Sequence, residues 1–225
     1  MPGFEIFGEE ERKQVNDVLD TGVLFRYGFD EARKGHWKAR TFETELARRL
    51  GVEYAHLCAS GTAALSTAMA ACGVGAGDEV IVPPFTFVAT IESVLMAGAV
   101  PVFAEIDETL CLSPEGLEAA ITPATKAVIP VHLFGQAADM DGVMQASGDV
   151  PVIEDCAQAD GAAYKGRKVG AWGDLGAFSL MDSGDNIFAL IPDPEDTTEV
   201  LAARDEFVRA VLKHFPAVAA QASAK

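Results

Sequence analysis

Four short segments carry side chains able to hold a flat, anionic small molecule. The first is Ser60-Gly61-Thr62-Ala63-Ala64-Leu65, which follows a β-rich run and opens a helical one. Free amides at a helix N-terminus attract anions, a glycine there lets the backbone approach closely, and Thr62 adds a hydroxyl donor. The same residues also suit an ordinary strand-to-helix turn capped by Ser60. The segment is neither a GxxxxGK nor a GxGxxG nucleotide loop. The second segment, Glu154-Asp155-Cys156-Ala157-Gln158, ends an apolar run. Ligands of open α/β sheets sit at the carboxyl ends of strands, where a carboxylate can meet a cation; an Asp there can equally cap a helix. The third, Pro83-Pro84-Phe85-Thr86-Phe87, could lay an aromatic over a planar ring or bury one in the core. The fourth, Gly176-Ala177-Phe178-Ser179-Leu180, is a last strand ending in a hydroxyl.

The elements that must position these residues alternate along the chain. Residues 8–19 have the spacing of an amphipathic helix, 21–28 read as a loop, and 31–50 carry helical spacing in Phe42, Leu46 and Leu50 up to Gly51, a natural C-cap. β-rich runs follow at 53–58, 79–82, 100–104, 126–132, 150–154 and 174–180. Stretches of helical composition lie between them at 62–72, 86–97, 114–120 and 139–147. Strand and helix in alternation predict an α/β domain with a mostly parallel sheet. The runs Val80-Ile81-Val82, Ala127-Val128-Ile129 and Pro151-Val152-Ile153 are apolar throughout, which suits strands covered by helices on both faces. After Leu180 the character changes to a polar turn, and residues 197–215 have the pattern of a further capped helix.

Composition narrows the function. Of 225 residues, 17 are Lys or Arg and 34 are Asp or Glu, a formal net charge of −17. So acidic a chain lacks the clustered cations that a broad nucleic-acid surface needs. The four cysteines form no CxxC pair, so no metal centre is expected, and a reducing cytoplasmic setting is. The N-terminal stretch has no apolar core of a secretory signal, and Pro83, Pro84, Glu92 and Pro101 interrupt the most apolar region, so no membrane span is expected.

Taken together and in order, these motifs resemble the sugar aminotransferases of the DegT/DnrJ/EryC1/StrS family. The resemblance covers about residues 4–180. It runs through Thr21-Gly22, Phe42-Glu43, the SGTAAL segment, Gly77-Asp78-Glu79-Val80-Ile81-Val82-Pro83, the FTFVAT run, Pro130-Val131-His132-Leu133-Phe134-Gly135-Gln136, the EDCAQA run and Gly173-Asp174-Leu175-Gly176-Ala177-Phe178-Ser179. It implies the fold-type-I large domain and pyridoxal 5'-phosphate (PLP) as cofactor. It implies that Gly61, Thr62 and Ala63, with Ser179, hold the phosphate, that Phe87 stacks on the pyridine ring, that Asp155 pairs with the ring nitrogen and that Gln158 contacts the phenolic oxygen. It also implies a keto-sugar acceptor, an amino-acid donor (glutamate), and a homodimer. The opening MPGFE with GVLFRYGF is similar to the branch that makes 8-amino-3,8-dideoxy-manno-octulosonate, an amino sugar acid of lipopolysaccharide.

One expected residue is absent. In this family the Schiff-base lysine follows the strand-end serine by five positions, and here Gly184 stands there, between Ser183 and Asp185. Glycine can neither bond the cofactor nor move a proton. Lys165 and Lys168 fall in an expected hairpin before the last strand. The resemblance thus divides the chain into an N-terminal entry segment (1–52), a PLP-binding large domain (53–183) and a remnant of the C-terminal region (184–225), with the small C-terminal domain largely missing.

Overall fold

The structure, a computed structural model, describes residues 8–180. Gly184 and the expected helix at 197–215 lie outside the described residues. Two compact units are present, divided between Leu57 and Cys58.

The first unit holds α1 (Glu9–Leu19) and α2 (Lys38–Leu50). Helix α2 is shorter than the pattern over 31–50 predicts. Left-handed backbone at Lys34 and Gly35 breaks the run, and the helix starts only after Trp37. Its buried line is Glu43 and Ala47, whereas Phe42 is 39% exposed. Gly51 ends the helix in the left-handed conformation, as its position after Leu50 predicts. The expected strand at 53–58 does not form. The Leu57 amide donates to the Glu43 carboxylate (2.7 Å) instead of to a strand partner, and Arg26 pairs with the same carboxylate (2.5 Å).

The second unit is a parallel α/β assembly. Helix α3 (Gly61–Ala71) leads to β1 (Glu79–Val82), α4 (Val88–Met96), β2 (Val100–Phe103), α5 (Pro114–Ala120) and β3 (Thr125–Val128). A single turn of 3₁₀ helix at Leu133–Gly135, then α6 (Met140–Ser147) and β4 (Ile153–Asp155), follow. A two-residue antiparallel hairpin, β5 (Ala163–Tyr164) with β6 (Arg167–Lys168), precedes β7 (Leu175–Ala177). The strands order as β2-β1-β3, all parallel, and β4 pairs with β7 in parallel. Parallel bridges Val128–Val152 and Val131–Asp155 carry the sheet from β3 across to β4.

Side chains alternate across this sheet with period two. Ile81, Val128 and Val152 face one core with Leu117, Met140 and Val143. Val80, Val82, Ala127, Ile129 and Ile153 face the other, with Leu65 and Met69 of α3 and Val94 of α4. Both faces are therefore apolar, as the unbroken hydrophobic runs predict. A consequence for the site is that all strands end on one edge of the sheet.

Candidate cofactor site

At that edge lie the segments after β1, β3, β4 and β7, with the start of α3 packed against β4 and β7. Ser60 caps α3: its backbone is extended and its hydroxyl accepts from the Ala63 amide (3.1 Å). The Ala63 amide is thus already engaged, while the amides of Gly61 and Thr62 sit in the first turn, where no intrahelical acceptor exists. Gly61 faces the end of β7. A Cβ built there would lie 2.9 Å from the Ser179 Cβ, 3.3 Å from its Oγ and 3.4 Å from the Phe178 carbonyl. Only a glycine fits this approach, and it brings the Ser179 hydroxyl to the helix N-terminus.

Asp155 and Glu154 are neighbours on β4 and so point to opposite faces. Asp155 shares its face with Ile153, on the side of α3 and α4. It is 4% exposed. Its Oδ2 accepts from the Thr90 hydroxyl (2.8 Å) and its Oδ1 from the Ala157 amide (3.1 Å). Burial pushes its pKa above the usual carboxylate range, against these two opposing bonds. No Lys or Arg among the described residues forms an ion pair with it.

Phe87 is the N-cap residue of α4 and is 60% exposed, so it is no core aromatic; Phe85 takes that place, packed on the sheet. The Thr90 amide donates to the Phe87 carbonyl (3.1 Å), which ties the exposed ring to the residue that bonds Asp155.

Gln158 is buried at 9% exposure, and the turn after β3 grips it. The Gly135 amide donates to its carbonyl (2.8 Å) and the Phe134 amide to its Oε1 (3.4 Å). With Oε1 accepting, the side-chain NH₂ is left as donor. The turn uses left-handed backbone at Phe134 and Gly135.

Three residues outside the predicted set matter here. Thr90 is one; it is the third residue of α4, just inside the helix that Phe87 caps and Thr86 precedes. The others are Glu154 and His132, both fully buried. Glu154 accepts from the amides of Gly170 (2.8 Å), Trp172 (2.6 Å) and Gly173 (2.7 Å) and from His132 Nε2 (2.9 Å). His132 Nδ1 accepts from the Ala138 amide (3.1 Å), so the ring is the neutral Nε2–H tautomer. Burial opposes the Glu154 charge, but the bonds from His132, Gly173 and Gly170 outweigh it and hold the pKa below the ordinary value. Glu154 therefore pins the loop that leads into β7 and Ser179. Glu154, His132 and Cys156 place potential metal-ligating atoms within 4.8 Å of one another, but the His and Glu atoms already serve this network. Lys165 pairs with Asp141 and Lys168 donates to the Gly161 carbonyl, both on the exposed hairpin.

A helix start with free amides beside the Ser179 hydroxyl, a buried carboxylate and an exposed aromatic thus lie along one edge of the sheet. The chain belongs to the DegT/DnrJ/EryC1/StrS aminotransferase family, whose model matches residues 5–183. It is 53% identical over 150 residues to the UDP-N-acetyl-3-dehydro-alpha-D-glucosamine 3-aminotransferase of Acidithiobacillus ferrooxidans, covering 65% of this chain and 40% of the relative. It is 48% identical over 172 residues to the L-glutamine:2-deoxy-scyllo-inosose aminotransferase of Streptomyces fradiae, covering 75% and 40%. Among solved structures, NtdA from Bacillus subtilis with bound pyridoxamine phosphate (PMP) superposes with a TM-score of 0.61 at 35% identity, covering 73% of this chain and 37% of that one. The chain thus spans about 40% of the length of these curated relatives. Among the described residues no helix is long and apolar enough to cross a membrane.

Proposed function

We propose that residues 53–183 form the cofactor-binding domain of a PLP-dependent aminotransferase that aminates a keto-sugar. The carrying observation is the buried Asp155, which forms no ion pair with a Lys or Arg among the described residues, on the same sheet edge as the Gly61–Ser179 approach. The amides of Gly61 and Thr62, the Thr62 hydroxyl and Ser179 bind the phosphate. Ala63 helps only if its amide is shared with Ser60. Asp155 holds the proton on the ring nitrogen, Phe87 covers the ring face and the Gln158 NH₂ donates to the phenolic oxygen. The bound cofactor supplies an electron sink for the carbanion of amino transfer.

A donor amino acid, glutamate by family resemblance, and a sugar substrate of lipopolysaccharide synthesis, in the 8-amino-3,8-dideoxy-manno-octulosonate branch, complete the reading. So do a homodimer and a cytoplasmic location. A second reading rests on one sequence fact. Gly184 stands where the family has its lysine, and the only lysines after Lys168 are Lys213 and Lys225. On that reading the chain binds PLP or PMP without turning it over.

Calorimetric titration with PMP, which needs no lysine, tests the binding site. Saturable one-to-one binding that Asp155→Asn weakens at least tenfold is expected; no binding by the unaltered chain refutes the site. Borohydride reduction with PLP followed by peptide mapping separates the two readings: one stoichiometric lysine adduct supports turnover, and its absence supports binding alone.

A further inference from the structure

The hydroxyls of Thr86 and Thr90 form a directed chain onto Asp155. Thr90 Oγ1 lies 2.8 Å from Asp155 Oδ2 and 2.8 Å from Thr86 Oγ1. Asp155 Oδ2 needs a donor, so the single hydroxyl proton of Thr90 goes to it, and Thr90 in turn accepts the proton of Thr86. Thr90 is 1% exposed, so water cannot replace it, while Thr86 is half-buried and sits beside the exposed Phe87. A hydroxyl that accepts while it donates is polarised and bonds more strongly.

Each carboxylate oxygen has two lone-pair sites, so the bonds from Thr90 and Ala157 fix the plane of Asp155 and leave one site on each oxygen. Thr86 immediately precedes Phe87, the N-cap of α4, and Thr90 is the third residue of that helix, so the entry to α4 holds both the hydroxyl chain onto the carboxylate and the aromatic.

Resting on the proposed cofactor site, we propose that Thr90, backed by Thr86, is a positioning residue that aims Asp155 at a protonated ring nitrogen. The carboxylate then meets the N–H in its own plane.

The test uses the full chain and two probes: PMP, and its carbocyclic analogue in which C–H replaces the ring nitrogen. Thr90→Val keeps the shape and removes the hydroxyl, and Thr90→Ser restores it. Removing a hydrogen bond to a charged group corresponds to an affinity loss of roughly tenfold or more. We expect Thr90→Val to weaken PMP binding by about that factor, Thr90→Ser to recover most of it, and the carbocyclic analogue to bind all three proteins alike. Thr86→Val, at a half-buried position, is expected to weaken PMP binding by about threefold, and it serves as the readout should Thr90→Val fail to fold. An equal loss for PMP and the analogue would show a packing role and overturn the inference. Unchanged PMP affinity in Thr90→Val, or in Thr86→Val where that variant is the readout, overturns it while leaving the cofactor site standing. No PMP binding by the unaltered chain overturns both.

Discussion

Gly61→Ala is the sharpest perturbation of the phosphate cradle. The added methyl would sit 2.9 Å from the Ser179 Cβ, against about 3.5–4.0 Å for an ordinary carbon contact. Ser179 or the start of α3 must therefore retreat by about 0.6 Å or more. Overpacking of this kind costs about 1–3 kcal/mol. Replacing a glycine with alanine inside a helix returns at most ~1 kcal/mol, and less at its first position. The net loss of stability is then about 0–3 kcal/mol. Ligand affinity falls as well, because the retreat takes the Ser179 hydroxyl away from the Gly61 and Thr62 amides. A hydrogen bond to a charged group contributes about 1.5–3 kcal/mol, which is at least tenfold in PMP affinity. Gly75→Ala is the control: nothing lies within 4 Å of its Cβ position, and neither stability nor binding should change. The assay is PMP calorimetry with urea unfolding of all three proteins. Gly61→Ala that binds PMP like the unaltered chain would refute the argument that helix start and strand end form one tight cradle.

Other outcomes follow from the buried carboxyls. Glu154→Gln replaces an acceptor of four hydrogen bonds with an amide whose NH₂ faces donors, so it should destabilise by about 3 kcal/mol or more in urea unfolding. The Glu154 pKa is lowered, so its contribution to stability is present above the unfolded value and lost as pH falls through the lowered one; the variant should flatten that acid limb. Asp160 behaves oppositely. Burial raises its pKa to about 7, so its contribution is full below the unfolded value and falls by about 1.4 kcal/mol per pH unit up to the folded one. Asp160→Asn should remove that slope between roughly pH 4 and pH 7; an unchanged slope in melts across this range would contradict the assignment.

Much of the site was legible because strand ends and helix starts are marked in sequence by composition. The apolar triplets located β1, β3 and β4, and Asp155 followed from its place at the end of one of them. What sequence could not show was pairing and direction. The residues at 53–58 look like a strand, yet a strand exists only through a partner, and the Leu57 amide goes to Glu43. Phe42 has helical spacing but faces outward, because the buried line of α2 runs through the charged Glu43 instead. Glu154 beside Asp155 reads as a pair of carboxylates, and only the pleat of the strand sends one to the cradle and the other to His132 and the Gly170–Gly173 amides. The left-handed Phe134, which helps grip Gln158, has no compositional mark at all.

Gly61, Thr62, Ser179, Phe87 and Asp155 are proposed to bind one ligand together. A crystal structure of the 225-residue chain soaked with PMP tests it directly. The phosphate should lie against the Gly61 and Thr62 amides and the Ser179 hydroxyl, the ring beneath Phe87, and its nitrogen within about 2.7–2.9 Å of an Asp155 oxygen. PMP bound elsewhere, or bound with its nitrogen turned away from Asp155, would contradict it.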